Sequence, residues 1–231
     1  MIKKILLGAI LLSATLCAKA GVAISGTRFV YEEGKPHLNI TLENSDSISY
    51  LIKTQVRLPE YVIAEQAGID PVPFVATPPL FVLAAGKRNK LRIVSDGDGL
   101  VQNKESLFDL IITAIPSSRS VTTKDSVQIA VRSHLKLFYR PASLRGNPEN
   151  AYKQLRWTRY EDGIKVENLT PFYVTFFDVR INGQRMLEPG VIPPFSKQTR
   201  DWCNKSPECL ISWRSINDFG KILAEQRQKL L

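Results

Sequence analysis

The sequence predicts an all-β protein of β-sandwich type, and three observations support this. Apolar and polar residues alternate in short runs, which is the period of a half-buried strand. Proline and glycine separate these runs at short intervals. No amphipathic helix of ordinary length is indicated before residue 140. Closely and regularly spaced strands without intervening helices are typical of a sandwich.

The first twenty residues have the pattern of a secretory signal peptide. Lys3 and Lys4 precede an apolar run from Ile5 to Leu16, and Ala18-Lys19-Ala20 provides a cleavage site between small residues. The apolar run is shorter than the about 20 residues that a membrane-spanning helix needs. We therefore expect a signal peptide over residues 1–20 and an exported chain that begins at Gly21. A retained membrane anchor is the alternative.

The exported chain is basic. The formal net charge is +9, and the predicted leader contains three lysines and no acid, which leaves +6. A basic balance is compatible with nucleic acid, an anionic membrane or an acidic partner. Export argues against nucleic acid, and no lysine and arginine cluster is dense enough to track phosphates. We therefore expect no nucleic-acid partner.

The cysteine and histidine content bears on covalent and metal chemistry. Cys203 and Cys209 remain after export, and two nearby cysteines in an exported protein favour a disulfide. The only histidines, His37 and His134, lie far from them in sequence, so a metal site lacks ligands. The sequence has no G-x-S-x-G elbow and no glycine-rich phosphate loop. We predict no catalytic residue, no metal and no cofactor, and a triad that includes His134 is the enzymatic alternative.

Strands are predicted in order through the first part of the chain. They run from His37 to Leu42, Tyr50 to Leu58, Lys90 to Val94, Leu107 to Ile115 and Val127 to Tyr139. A break from Pro141 to Pro148 follows and is interpreted as a linker. About 210 exported residues are enough for one large β domain or for two domains of roughly 100 residues.

A second strand-rich region follows the linker. Its predicted strands run from Gly163 to Glu167, from Tyr173 to Ile181 and from Leu210 to Trp213. Asn182-Gly183 is a strong hairpin dipeptide. The last residues, Lys221 to Leu231, are charged and rich in leucine, so a terminal helix or a frayed end is expected there.

The predicted strand from Val127 to Tyr139 is unusually long. Its thirteen residues exceed the usual ~5–6, and one face carries Val127, Ile129 and Val131. A long apolar strand at a sheet edge is an aggregation hazard unless a partner pairs with it. The alternative is that these side chains line the core of their own sandwich.

Several short motifs resemble the PapD-like family of periplasmic pilus (fimbrial) chaperones of the chaperone–usher pathway. In chain order they are Gly26-Thr27-Arg28, Pro78-Pro79-Leu80-Phe81, Glu105-Ser106-Leu107-Phe108, Lys136 to Pro141, Leu169 to Val174, and Ile216-Asn217-Asp218-Phe219-Gly220. Each motif alone is weak, but their order over nearly the whole exported chain makes the resemblance specific. The short stretch from Ser117 to Ser126, without a cysteine pair, resembles the short-loop branch of the family. Asp109 and Ala114 depart from the family pattern, which has an aromatic residue and a glutamate there.

The resemblance implies a fold, a place and a mechanism. The fold is two immunoglobulin-like β-sandwich domains, residues 21–143 and 144–231, set at an angle with a cleft between them. The place is the periplasm. The mechanism is donor-strand complementation, in which the chaperone adds its edge strand to a pilus subunit that lacks one. The implied partners are pilus subunits and an outer-membrane usher, and self-capping as a homodimer stays open for the empty protein.

The resemblance also implies roles for individual residues. Val127, Ile129 and Val131 would fill the groove of the subunit. Arg28 and Lys136 would bind the C-terminal carboxylate of the subunit by charge-assisted hydrogen bonds and fix the register of the added strand. Ion pairs among Glu105, Arg140 and Asp218 would hold the two domains at a fixed angle. Without the resemblance, these charged residues would be interpreted as solvated surface groups. A pilin or an adhesive module is the alternative function, although pilins usually have one domain.

Overall fold

The computed structural model describes residues 21–59, 72–117, 128–161, 163–204 and 208–230. The predicted signal peptide, Val127 and nearly all of the short stretch from Ser117 to Ser126 therefore lie outside the described residues. Within these ranges the chain folds into seventeen strands and a single 3₁₀ helix, Pro148–Gln154. None of the described residues belongs to a helix long and apolar enough to cross a membrane.

The first nine strands form an N-terminal sandwich. They are β1 (Val22–Ile24), β2 (Arg28–Glu32), β3 (Leu38–Asn44), β4 (Tyr50–Arg57), β5 (Val75–Thr77), β6 (Leu80–Leu83), β7 (Arg88–Val94), β8 (Ser106–Pro116) and β9 (Val131–Arg140). One sheet has the order β1-β3-β7-β5, and the other has the order β2-β9-β8-β4-β6. The alternation in β3 explains the core: Ile40 and Leu42 are fully buried, whereas Asn39, which precedes Ile40, is exposed and Thr41 between them is half-buried.

The remaining strands form a C-terminal sandwich. They are β10 (Arg156–Tyr160), β11 (Gly163–Glu167), β12 (Val174–Ile181), β13 (Gln184–Arg185), β14 (Val191–Ile192), β15 (Lys197–Arg200), β16 (Cys209–Ser215) and β17 (Gln226–Leu230). One sheet has the order β10-β11-β15 and the other β13-β12-β16-β17, with β14 also paired to β12. Trp157, which is 1% exposed, packs against Trp213 with ring centroids 5.6 Å apart. This aromatic pair lies in the core of the sandwich.

The all-β fold is confirmed, and the predicted strands lie close to the observed ones. The bounds of β11 agree with the prediction, and those of β4, β8 and β12 differ by one residue at one or both ends. Asn182-Gly183 connects β12 to β13, and both residues have the positive φ, 50° and 85°, that a tight hairpin turn requires.

Two predicted elements differ from the structure. The expected terminal helix is wrong, because β17 pairs antiparallel with β16 there. The pairing partner decides this, since charged side chains on one face of an outer strand hide its alternation in the sequence. The long strand begins at Val131 rather than near residue 127, and residues 128–130 lie outside any strand.

A buried asparagine holds a turn in each sandwich. The amide nitrogen of Asn44 lies within hydrogen-bond distance of the carbonyls of Ile48, Leu83 and Ala84, at 2.7, 3.2 and 3.1 Å. The amide nitrogen of Asn168 lies 2.8, 3.3 and 2.9 Å from the carbonyls of Phe172, Ile192 and Pro193. Each side-chain oxygen accepts the backbone N–H two residues on. The two amide hydrogens of each side chain are therefore shared among these three carbonyls, which ties each turn to the neighbouring backbone.

The two sandwiches meet at a small apolar contact. Leu107 and Phe138 of the N-terminal sandwich cluster with Tyr173 of the C-terminal one, and the rings of Phe138 and Tyr173 are 5.6 Å apart. The backbone N–H of Glu105 donates to the carbonyl of Pro171 across the same contact at 2.9 Å. This junction lies beside the C-terminal end of β9, since Phe138 belongs to that strand. The cleft between the two sandwiches is therefore next to β9.

Candidate binding site

One half of strand β9 is an open sheet edge. On one side, β8 pairs with it from Val131 to Tyr139. On the other side, β2 runs parallel to it and pairs only from Lys136 to Arg140. Among the described residues, no strand covers that second side from Val131 to Leu135. An uncovered edge presents backbone N–H and C=O groups that can pair with another chain.

Apolar side chains lie where this edge begins. Ile129 and Val131 are 74% and 57% exposed. Together with Ser133 they line a cavity whose other walls are Val22, Ile24, Tyr50, Ile112 and Ala114. Exposure of large aliphatic groups beside an open edge marks a surface for association. The third predicted donor residue, Val127, lies outside the described part of the chain.

Arg28 and Lys136 lie side by side where the open edge ends. They are register partners in the β2–β9 pair, so their side chains project from the same face of the sheet. Arg28 is 8% exposed, and its guanidinium carbon is 4.9 Å from the centroid of the Phe138 ring. Its Nη1 donates to the carbonyl of Ile216 at 3.1 Å, whereas its buried Nε has no acceptor in the described residues.

Keeping Arg28 and Lys136 protonated costs free energy, because both side chains are partly removed from water. Burial lowers the pKa of Lys136, and the neighbouring charge of Arg28 lowers it further against the opposing influence of Asp109. Burial likewise lowers the pKa of Arg28, although Asp218 and Glu105 act in the opposite direction. An anion placed between the two side chains would relieve the mutual repulsion of the two charges and offset the cost of their burial. The pair therefore has the chemistry of a carboxylate site.

The structure brings Glu105, Arg140 and Asp218 together across the junction. Arg140 Nε donates to Glu105 Oε1 at 2.6 Å. Its Nη1 and Nη2 donate to the two oxygens of Asp218 at 2.7 and 3.1 Å. Glu105 and Arg140 belong to the N-terminal sandwich, and Asp218 belongs to the C-terminal one. This bidentate arrangement fixes the orientation of both partners.

Burial shapes the electrostatics of this network. The Glu105 side chain is 2% exposed, and its second oxygen accepts the backbone N–H of Tyr173 at 2.7 Å. Burial raises the pKa of Glu105, and the charge of Arg140 and the Tyr173 amide offset part of that rise. Burial alone would lower the pKa of Arg140, but the hydrogen bonds and charges of Asp218 and Glu105 outweigh it and raise that pKa.

Other predicted residues lie away from this site. The disulfide between Cys203 and Cys209 is confirmed, with Cα atoms 5.8 Å apart, in the C-terminal sandwich. His37 and His134 are not brought near either cysteine in any described contact, and the described residues contain no group of three or more His, Cys, Asp or Glu that could hold a metal.

Sequence reasoning missed a polar cluster beside Lys136. Asp109, the residue that departs from the family pattern, is a register partner of Lys136 and of Arg57. Its Oδ2 lies 2.8 Å from His134 Nδ1 and 3.5 Å from Arg57 Nε. The departure at Asp109 was the available signal for the cluster, because a carboxylate in place of an aromatic residue needs polar partners.

Sequence reasoning also assigned no role to Phe219.

Comparisons with known proteins match both halves of the chain. Residues 21–145 match the family "Pili and flagellar-assembly chaperone, PapD N-terminal domain", and residues 150–227 match "Pili assembly chaperone PapD, C-terminal domain". A relative from Escherichia coli K12, "Uncharacterized fimbrial chaperone YcbF", is 38% identical over 213 residues, which cover 92% of this chain and 89% of that protein.

Two solved structures are similar over most of the chain. The Salmonella enterica SafB chaperone, solved in complex with the SafA pilin, has a TM-score of 0.76 at 28% identity and covers 90% of this chain and 95% of its own. The periplasmic chaperone SfaE has a TM-score of 0.74 at 33% identity and covers 90% of this chain and 98% of its own. With matches to both family models along nearly the whole exported chain, this protein belongs to the PapD family of pilus-assembly chaperones.

Proposed function

We propose that this protein is a periplasmic chaperone that binds, folds and caps pilus subunits by strand addition and delivers them to an outer-membrane usher. The observation that carries the proposal is the open half-edge of β9, which ends beside two adjacent, partly dehydrated cations. The open edge offers backbone pairing to an extended segment, and the cations offer a site for its terminal carboxylate.

The direction of the added strand follows from the place where the edge ends. The open edge runs from Val131 to Leu135, and β2 occupies the same side of β9 from Lys136 onwards. An added strand must stop where β2 begins. If it runs parallel to β9, as β2 does, its C-terminus arrives beside Arg28 and Lys136. An antiparallel strand would bring an ammonium group or a chain interior to the cations, which is unfavourable.

Exposed aliphatic side chains support the same interpretation. Ile129 and Val131 stay largely exposed in this chain, so burying them against the groove of a subunit would gain hydrophobic free energy of about 25 cal/mol per Å². We propose that Val127 extends this row by one position, because it lies two residues before Ile129. Backbone pairing would then supply affinity, and these alternate side chains would supply fit.

The ion network has a separate role in this proposal. We propose domains of residues 21–143 and 144–231, whose relative angle is fixed by Arg140 through its bonds to Glu105 and Asp218. A fixed angle keeps the cleft beside β9 open for the subunit. We assign the protein no catalytic activity and no cofactor. The periplasmic location is supported by the similarity to SfaE, and the binding of a pilin by the similarity to SafB.

Co-expression in the periplasm with a candidate pilus subunit encoded nearby tests the proposal. The wild-type chaperone should co-purify with the subunit and protect it from degradation, whereas Lys136→Ala and Arg28→Ala should lose both effects. Lys90→Ala, an exposed lysine in the opposite sheet, is the matched control and should behave as wild type. Equal protection by all variants would remove the anchor role from Lys136, and the absence of any wild-type complex would leave only the fold.

A further inference from the structure

Phe219 is the most exposed large apolar residue of the described chain. It is 92% exposed, and it lies in the turn between Asn217 and Gly220 after β16. A single exposed apolar side chain is ordinary on a protein surface, so exposure alone carries little. The construction of the turn and the position of the ring are what distinguish this residue.

The turn that carries Phe219 is held rigidly on both sides. The side-chain oxygen of Asn217 accepts the backbone N–H groups of Phe219 and Lys221 at 3.1 and 2.9 Å. The side-chain nitrogen of Asn217 donates to Glu149 in the 3₁₀ helix at 2.7 Å. The next residue, Asp218, is clamped by Arg140. An aromatic ring on so constrained a backbone loses little conformational entropy when it makes a contact.

The ring of Phe219 belongs to the same cavity as Arg28. That cavity, of about 340 Å³, lies between the two sandwiches and is lined by Thr27, Arg28, Val30, Leu38, Arg140 and Phe219. Its walls therefore combine two guanidinium groups and the carboxylates of Glu32 and Asp218 with aliphatic and aromatic surface. A chain end whose carboxylate contacts Arg28 would bring its last side chains within this cavity.

We propose that Phe219 is the apolar part of the subunit site, where it contacts an aliphatic or aromatic side chain close to the C-terminus of the bound subunit. The inference rests on the proposed function, because the occupant is the segment whose carboxylate Arg28 and Lys136 bind. The cavity shared with Arg28 favours this occupant over a second copy of the chain or another partner. Rigid, preorganised aromatic residues at the centre of an interface often dominate its binding energy.

The test is the affinity of a synthetic peptide that carries the C-terminal strand of a candidate pilus subunit, measured by fluorescence anisotropy. Phe219→Ala should weaken binding roughly tenfold, and Phe219→Tyr should restore it. Leu187→Ala is the control for loss of an exposed apolar residue, since Leu187 is 88% exposed and lies outside the cavity. Peptides with their last apolar side chains changed to alanine should show a coupled, non-additive loss with Phe219→Ala.

The outcomes separate this inference from the proposed function. If Lys136→Ala abolishes binding but Phe219→Ala stays within about twofold of wild type, Phe219 is not a contact and the inference fails alone. If the losses from Phe219→Ala and from the peptide changes are additive, the inference also fails, because the ring does not touch those side chains. If the wild type binds no subunit peptide and no intact subunit, the proposed function fails as well.

Discussion

Replacing Glu105 by alanine should weaken the fold and uncouple the two sandwiches. The change removes the acceptor of Arg140 Nε at 2.6 Å and of the Tyr173 N–H at 2.7 Å, both at a side chain that is 2% exposed. Loss of one partner from a buried ion pair costs about 3–5 kcal/mol. Asp218→Ala should cost less, about 1–3 kcal/mol, because Asp218 is 24% exposed and Arg140 keeps Glu105.

Tryptophan fluorescence makes the uncoupling measurable. All three tryptophans, Trp157, Trp202 and Trp213, lie in the C-terminal sandwich, so their fluorescence in urea follows that half alone. Far-UV circular dichroism follows both halves. The two signals should report one transition for the wild type and separate transitions for Glu105→Ala. Glu43→Ala removes an exposed ion pair with Arg88 and should leave the urea midpoint unchanged.

One result would refute this reasoning. If Glu105→Ala unfolds with coincident signals and with the midpoint of the wild type, the network neither stabilises the protein nor couples its halves. The junction would then be held by the apolar contact of Leu107, Phe138 and Tyr173.

Three further predictions concern other parts of the chain. Burial lowers the pKa of Lys136 from 10.5, so between the two pKa values the unfolded chain binds more protons than the folded one. The unliganded protein should therefore gain stability as pH rises through the lowered pKa. Lys136→Met should abolish this gain and raise the urea midpoint at neutral pH. Asn168→Ala leaves buried carbonyls without a donor and should cost about 2–4 kcal/mol in urea unfolding, unlike the exposed control Asn39→Ala. Cys209→Ser opens a bridge with a sequence separation of 6 and should cost about 2 kcal/mol relative to the oxidised wild type, whereas the reduced wild type should match the variant.

Alternation and turn chemistry were sufficient to predict much of the fold. β11 has clear apolar periodicity, and the Asn182-Gly183 turn requires the positive φ that its two residues readily adopt. Very short strands such as β13 and β14 could not be predicted, because two residues carry no periodicity. The strand β17 was also missed, since its pairing with β16 and not its own composition defines it.

The candidate site was predictable only through the family resemblance. Arg28 and Lys136 are far apart in sequence, and no local pattern indicates the parallel pairing of β2 with β9 that makes them neighbours. The ion network likewise depends on a contact between two sandwiches. Phe219 was identified only as part of a motif, because a phenylalanine in a turn has no evident role until the bonds of Asn217 show how its backbone is held.

The pairing of β2 with β9 gives the open edge a fixed end point. That end point is the cation pair of Arg28 and Lys136, and Val131 lies five residues from Lys136, about 17 Å along the strand. If the cation pair binds the chain end as proposed, each position on the edge corresponds to a fixed count of residues from that end. A subunit shortened by proteolysis or lengthened by a tag would then place its side chains out of register with Ile129 and Val131, and we expect it to bind more weakly.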